Sequence, residues 1–130
     1  MPLVKIDVIR GAWSTNELRL IADVIQQVMM THFNAPKRDR YQIITQHEDY
    51  ELICEDTNLG YTRTKRIVII QILQQGRNAE KKQQVFKALS ENLWEKCSVA
   101  GEDLIITCAE NTQADWSFGM GIAQFVTGQL

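Results

Sequence analysis

The spacing of hydrophobic positions predicts a strand, a helix and a second strand in the first part of the chain. Residues 2–9 (PLVKIDVI) and 41–47 (YQIITQH) are typical of strands. Between them, apolar residues recur at spacings of three and four, which makes one apolar helix face. That face comprises Leu18, Ile21, Ile25, Val28 and Met29. The sequence Ser14-x-x-Glu17 is a capping box that begins this helix, and the helix should end near Phe33.

The same order of elements recurs in the second part of the chain. Residues 66–74 (RIVIIQILQ) predict a strand, Asn78 can cap the next helix, and residues 103–110 (DLIITCAE) predict a closing strand. The apolar face of this second helix holds Val85, Phe86, Leu89 and Leu93. A further short strand is expected at residues 52–54, before the turn-rich stretch that separates the two parts.

Two β-α-β units of similar length, at about 2–48 and 64–110, suggest an internal duplication within a single domain of residues 1–130. Right-handed crossovers would place both helices on one face of a four-stranded sheet, an α/β (α+β) architecture. The strand at 66–74 is apolar on both faces, so its second face should pack against other copies of the chain. The glycine-punctuated arm at 111–130 predicts a small hairpin or an extended arm.

Composition and charge exclude several classes of function. The chain has 14 basic and 16 acidic side chains, interspersed, so it carries no electrostatic footprint for nucleic acid or anionic lipid. Its longest apolar run, at 67–70, is far too short for a membrane span. Lys5 and Asp7 lie where a signal peptide would need an apolar stretch. Three cysteines without CxxC spacing favour reduced thiols in a cytoplasm and no metal site.

The proline at position 2 has two interpretations. Proline lacks a backbone N–H, and the first residue of a strand tolerates it because that residue need not donate a hydrogen bond to the ladder. Alternatively, removal of Met1 would make Pro2 a free secondary amine, a group that a protein chain offers nowhere else. A small second residue such as proline normally permits this removal.

Five segments in order along the chain resemble the tautomerase superfamily, and most closely its malonate semialdehyde decarboxylase group. They are MPLVKIDVIRG at the start, DRYQ at 39–42, QH at 46–47, EDTNLGYTR at 55–63 and ADWSFGMG at 114–121. The resemblance implies duplicated β-α-β units, assembly as a homotrimer and catalysis by the N-terminal proline, without a cofactor or a metal. It also implies a small oxo-acid substrate that carries a carboxylate.

The resemblance assigns roles to individual residues. Pro2 and Asp39 are the expected catalytic groups, and Arg77 is the expected anchor for the substrate carboxylate, because a guanidinium binds both oxygens at once. The decarboxylase group has a second arginine at the position of Gln75, which offers a neutral hydrogen bond instead of a charge. Without the resemblance, Asp39 in KRDRYQ would be taken for part of a solvated, charged turn.

The hydrophobic wall of the family's pocket corresponds to four residues near the C-terminus. These are Trp116, Phe118, Phe125 and Leu130. Aromatic residues more often serve core or interface packing, so each of these positions has that second interpretation as well.

Three functions from different classes follow. A neutral Pro2 could act as general base in keto–enol tautomerisation of a small 2-oxo acid. A protonated Pro2, held by Asp39, could instead polarise a carbonyl in a decarboxylase or hydratase of the malonate semialdehyde type. A non-catalytic binding protein of the same fold is the third possibility, favoured if Met1 is retained. The pKa of Pro2 separates the first two.

Overall fold

A computed structural model describes residues 2–130, so Met1 lies outside the described residues. The strands are β1 (Leu3–Ile9), β2 (Tyr41–His47), β3 (Val68–Gln74) and β4 (Leu104–Glu110). The helices are α1 (Thr15–His32), α2 (Ala79–Cys97) and the short α3 (Gln124–Thr127). Three turns of 3₁₀ helix lie at Asp49–Glu51, Gly101–Asp103 and Gln113–Asp115.

The four strands form one mixed sheet in the order β2-β1-β3-β4, which confirms the predicted four-stranded architecture. β1 is parallel to β2 and antiparallel to β3, and β3 is parallel to β4. Leu3 pairs with Tyr41 on one side and with Leu73 on the other. The start of β1 therefore lies at the same end of the sheet as the start of β2 and the ends of β3 and β4. We call this the Pro2 end.

One hydrophobic core lies between the sheet and the two long helices, which pack against each other on one face. Alternate residues of the two central strands face this core as directly opposed pairs. These pairs are Val8 with Val68, Ile6 with Ile70 and Val4 with Ile72. On the opposite face, Ile69 and Leu73 of β3 are only half-buried in the single chain.

Side-chain caps fix where the two long helices begin. The Ser14 hydroxyl accepts a hydrogen bond from the Glu17 backbone N–H at 3.1 Å, and the Glu17 carboxylate accepts one from the Ser14 N–H at 2.9 Å. The side chain of Asn78 accepts a bond from the Lys81 N–H at 2.9 Å. Both predicted helix starts are therefore confirmed.

The strand predicted at residues 52–54 is wrong. Within the described residues no strand lies beside this segment to complete a ladder, and Ile53 is 85% exposed. The loop is held instead through its far end, where Asp103 accepts hydrogen bonds from the backbone N–H and the hydroxyl of Thr64, both at 2.6 Å.

The hairpin considered for the C-terminal arm is also wrong, because the described chain has no strand after Glu110. The arm folds back through the Gln124 side chain, which accepts a hydrogen bond from the Phe118 N–H and donates one to the carbonyl of Gly119. Within residues 2–130, no helix combines the length and the apolar composition that crossing a membrane requires.

The capping box makes a testable contribution to stability. Replacing Ser14 with alanine leaves the Glu17 N–H without its partner, and we expect a loss of about 1 kcal/mol in the free energy of unfolding. Urea unfolding followed by circular dichroism measures this loss. Ser14→Asn retains a capping oxygen and should lose only a few tenths of a kcal/mol; equal losses in both variants would contradict the capping role.

Candidate functional site

Pro2 is buried immediately before β1. Continuing the strand register by one residue places it opposite Arg40 on the β2 side and opposite Gln74 on the β3 side. The turn that carries Asp39 and the segment that carries Gln75 and Arg77 therefore both begin beside the proline. The topology brings the three expected catalytic residues to one end of the sheet, although they are far apart in sequence.

Asp39 is a buried carboxyl group in an otherwise exposed, basic turn. It is 6% exposed, and neither of its oxygens accepts a hydrogen bond from any residue within 2–130. Burial raises its pKa, and the positive charge of Arg77 works in the opposite direction. Arg40 next to it points elsewhere and forms an ion pair with Asp23 at 2.8 Å. The solvated-turn interpretation describes the exposed neighbours of Asp39 and does not describe Asp39 itself.

Backbone carbonyl groups hold the Arg77 guanidinium in place. It donates hydrogen bonds to the carbonyl oxygens of Gln75 and Phe33, and its central carbon lies 5.0 Å from the centre of the Phe33 ring. Burial lowers the pKa of Arg77 while the Asp39 charge raises it, so the two groups interact electrostatically without forming a direct ion pair. A guanidinium has five N–H donors, so donors remain for a bound anion.

Gln75 and Arg77 line an open cleft of about 1130 Å³ at the Pro2 end. The other walls come from the end of β4, from the segment that follows it and from α3, and they include Glu110, Asn111, Thr112, Phe125 and Val126. The side-chain oxygen of Gln75 is buried and has no hydrogen-bond partner among the described residues. Among residues 2–130, Arg77 is the only cationic side chain that lines this cleft, so an anion entering it would meet a single guanidinium.

Aromatic rings of the C-terminal arm connect this cleft to a second, smaller one. Trp116 stacks on Phe118 with ring centres 5.4 Å apart, and Phe118 meets Phe125 edge-on at 5.6 Å. The smaller cleft, about 270 Å³, is lined by Asp39, Phe118 and Leu130 together with Pro36, Arg38 and Tyr41. Except for Pro2 and Trp116, the expected site residues are thus divided between these two clefts.

Pro2 lines neither cleft, and Leu130 is 65% exposed at the rim of the smaller one. Within residues 2–130, no group of three or more His, Cys, Asp and Glu side chains lies close enough together to hold a metal ion. What the clefts offer chemically is therefore a cation, a buried carboxyl group, neutral amides and aromatic surface beside a buried proline.

Three residues that the sequence did not single out position the expected ones. The Phe33 carbonyl orients Arg77, the Asn111 side chain accepts a hydrogen bond from the Trp116 indole at 2.8 Å, and Tyr41 packs on Phe118 at 5.5 Å. Only tertiary contacts reveal these roles, since each residue is unremarkable in the sequence pattern around it.

Two sequence profiles described as tautomerase enzymes match this chain, one over residues 39–119 and the other over residues 2–61. The chain is 43% identical over 130 residues to "Probable tautomerase YrdN" of Bacillus subtilis (strain 168), and the match covers all of both chains. "Probable tautomerase YusQ" of the same strain is 32% identical over 127 residues, which cover 97% of this chain and 99% of the relative.

Solved structures agree with these relationships. A malonate semialdehyde decarboxylase with decarboxylase and hydratase activities superimposes with a TM-score of 0.94 at 36% identity, over 98% of each chain. FG41 malonate semialdehyde decarboxylase, inhibited by 3-bromopropiolate, gives 0.93 at 43% identity over 98% of this chain and 97% of that one. The fused 4-OT symmetric trimer has a TM-score of 0.77 at 14% identity, over 97% of this chain and 98% of that one, and this likeness shows the fold alone.

Replacing Asp39 with asparagine should stabilise the fold at neutral pH. Burial raises the pKa of this carboxyl above its ordinary value of 3.8, so the folded chain binds the proton more tightly than the unfolded chain does. Stability therefore falls as the pH rises from 3.8 through the raised value. Asparagine removes the buried charge, and we expect the Tm at pH 7 to rise by a few degrees, roughly 1 kcal/mol.

The comparison with acidic solution controls for changes in packing. Below pH 3.8 the Asp39 carboxyl is protonated in both folded and unfolded chains, so the advantage of Asp39→Asn should disappear there. Thermal unfolding of both proteins at one concentration, at pH 7 and at pH 3.5, measures this. A lower Tm for the variant at pH 7 would show that the buried carboxylate is stabilising.

Proposed function

Because this chain belongs to the tautomerase superfamily, we propose that it catalyses keto–enol tautomerisation of a small 2-oxo acid, with Pro2 as the general base. The observation that carries the proposal is the placement of a buried N-terminal proline at the same end of the sheet as Arg77. The proposal requires loss of Met1, which converts the Pro2 nitrogen from an amide into an amine.

The surroundings of Pro2 suit a base. An α-amino group has a reference pKa of about 7.7–8.0, and an apolar environment or a nearby cation lowers it. Pro2 is buried, and its neighbour in register on the core face of β1 is the fully buried Val4. The Arg77 guanidinium adds positive charge at the same end of the sheet. Both features favour the neutral amine near pH 7, the form that accepts a proton.

The remaining groups suit an oxo acid. Arg77 binds the substrate carboxylate through the donors that its two backbone bonds leave available. Starting from the enol, the Pro2 nitrogen takes the hydroxyl proton, the C–O bond becomes a carbonyl, and the C=C electron pair takes up a proton from prolinium at carbon. The Gln75 amide donates a hydrogen bond to the oxygen, where negative charge develops. The rings of Phe118 and Phe125 accommodate the organic end of the substrate.

Decarboxylation of a 3-oxo acid is the second candidate, favoured by the 36% and 43% identity to malonate semialdehyde decarboxylases over nearly the full chain. Here a protonated Pro2, paired with Asp39, donates a hydrogen bond to the carbonyl oxygen. The bond to the carboxylate carbon breaks, CO₂ leaves, and its electron pair forms an enolate that is protonated to the aldehyde. The single guanidinium in the cleft weighs against this reaction, because Gln75 replaces the second charge.

Assembly and location follow from the same proposal. We propose a homotrimer, supported by the half-buried Ile69 and Leu73 on the face of the sheet opposite the helices. All three cysteines are unpaired, and burial raises the pKa of each thiol. Free thiols of this kind support a location in the reducing cytoplasm. A purely binding role is disfavoured by membership in an enzyme family.

Pro2→Ala and Arg77→Ala test the proposed site. Alanine replaces the ring-held secondary amine with a less basic primary amine that rotates more freely, and the second change removes the carboxylate anchor. Each should lower kcat/KM for phenylpyruvate tautomerisation at least about tenfold, which is roughly 1.4 kcal/mol in the barrier. Enol-to-keto conversion is followed by ultraviolet absorbance, on protein whose intact mass shows that Met1 is gone.

Arg10→Ala is the matched control, because Arg10 is an exposed arginine beyond the other end of β1 that pairs with Glu48 at 2.9 Å. It should retain full activity. If neither Pro2→Ala nor Arg77→Ala falls tenfold below wild type, the assignment of the site is wrong.

Gln75→Arg tests the second candidate. A second guanidinium in the cleft adds charge where an enolate develops, and we expect the rate of acetaldehyde formation from malonate semialdehyde to rise about tenfold. Proton NMR of the reaction mixture measures acetaldehyde directly. Gln75→Lys adds the charge without the planar guanidinium, so its rate should rise less. A lower rate in Gln75→Arg would contradict the claim that the missing charge at position 75 limits decarboxylation.

A further inference from the structure

Just beyond the ladder between β1 and β3, the register brings a polar residue, Gln74, opposite Pro2. Three apolar pairs occupy the core face of this ladder, and Pro2 and Gln74 lie one residue beyond the pair of Leu3 with Leu73. Both Pro2 and Gln74 are buried. Directly opposed residues on one face of an antiparallel pair have Cβ atoms about 5 Å apart, so the Gln74 side chain lies beside the proline ring.

Gln74 is a costly residue at this position. It is 0% exposed, and neither its side-chain oxygen nor its side-chain nitrogen has a hydrogen-bond partner among the described residues. Burying an amide without a hydrogen bond costs about 1–3 kcal/mol, and native proteins rarely leave such a group unsatisfied. We therefore expect the Gln74 carboxamide to form a hydrogen bond with a group other than the side chains around it.

The elements packed against Pro2 and Gln74 supply few groups that could form a hydrogen bond with the Gln74 carboxamide. The buried residues of α2 are all apolar, and those of α1 are apolar except for Gln26. The ionisable groups at the Pro2 end include Asp39 and its neighbours Arg38 and Arg40 before β2, Arg77 after β3 and Glu110 at the end of β4. Arg40 forms its ion pair with Asp23. None of these groups forms a hydrogen bond with Gln74. Removal of Met1 would create one further polar group opposite Gln74, the Pro2 amine.

We propose that Gln74 is a positioning residue for the Pro2 amine, with its side-chain oxygen accepting a hydrogen bond from the amine N–H. The inference rests on the proposed function, since it requires that Met1 is removed. Neutral proline has one N–H and one lone pair, so a bond from the N–H to Gln74 orients the lone pair away from the core, toward the cleft of Gln75 and Arg77. The bond strengthens when the amine is protonated.

Gln74 thereby opposes the effect of burial on Pro2. Burial disfavours the charged amine, and an amide oxygen that accepts its N–H favours the charged form. With both present, the amine both releases and accepts a proton near neutral pH, as a tautomerase requires in each turnover. Without Gln74, the amine would be a weaker base and would take the proton from the enol hydroxyl less readily.

The test is a ¹⁵N NMR titration of Pro2 in protein labelled with ¹⁵N-proline and shown by mass to lack Met1. Gln74→Leu, of similar volume, should lower the Pro2 pKa by about half a unit or more. The acid limb of kcat/KM for phenylpyruvate should move to lower pH by the same amount. Gln74→Glu keeps the acceptor and adds charge, so it should raise the Pro2 pKa.

Gln71→Leu is the matched control, because Gln71 lies on the same strand with its side chain on the opposite face. It should leave the Pro2 pKa unchanged. An unchanged Pro2 pKa in folded Gln74→Leu or in Gln74→Glu would overturn the proposal, and the pair of variants keeps it testable if one of them does not fold. The titration measures protonation of the Pro2 amine directly, so its result does not depend on whether Pro2→Ala abolishes activity.

Discussion

The pairing of β1 with β3 is the constraint on which the rest of the site depends. It buries Pro2 next to a central strand of the sheet, whereas the first residues of a chain are ordinarily solvated and mobile. Because β1 is parallel to β2, the turn carrying Asp39 arrives at the same end. Because β3 runs the opposite way, its exit delivers Gln74, Gln75 and Arg77 there too. The apolar pairs of the ladder stabilise this arrangement.

The Pro2 end retains polar groups that a protein selected only for stability would lack. Asp39 is buried without a hydrogen-bond partner among the described residues, Arg77 is held by backbone carbonyls, and Gln74 is fully buried with both amide atoms unsatisfied. The unsatisfied groups of Asp39 and Gln74 cost folding free energy, which the hydrophobic core offsets. Most of the buried side-chain polar atoms that lack a hydrogen-bond partner within residues 2–130 lie at this end of the core, which is typical of a site that a ligand or reacting group completes.

Elements with a clear hydrophobic periodicity could be predicted from the sequence. Segments whose conformation depends on tertiary contacts could not. Strand alternation and the Ser14 capping box are local signals, and the structure agrees with them. Residues 52–54 resemble a strand locally but have no partner strand, and the C-terminal arm is shaped by one side chain, Gln124. The family resemblance supplied the expected site residues. It did not include Gln74, and the burial of Gln74 could not be predicted because it depends on the register of β3 against β1.

The central claim is that a free Pro2 amine is the reactive group, and exposing that amine by proteolysis tests it most directly. The chain is produced with a removable extension joined directly to Pro2, and phenylpyruvate tautomerisation is measured on the same sample before and after cleavage, with intact mass recorded each time. The account predicts that activity appears only when the mass shows Pro2 at the N-terminus. Equal activity before and after cleavage, with the extension fully attached beforehand, would contradict it.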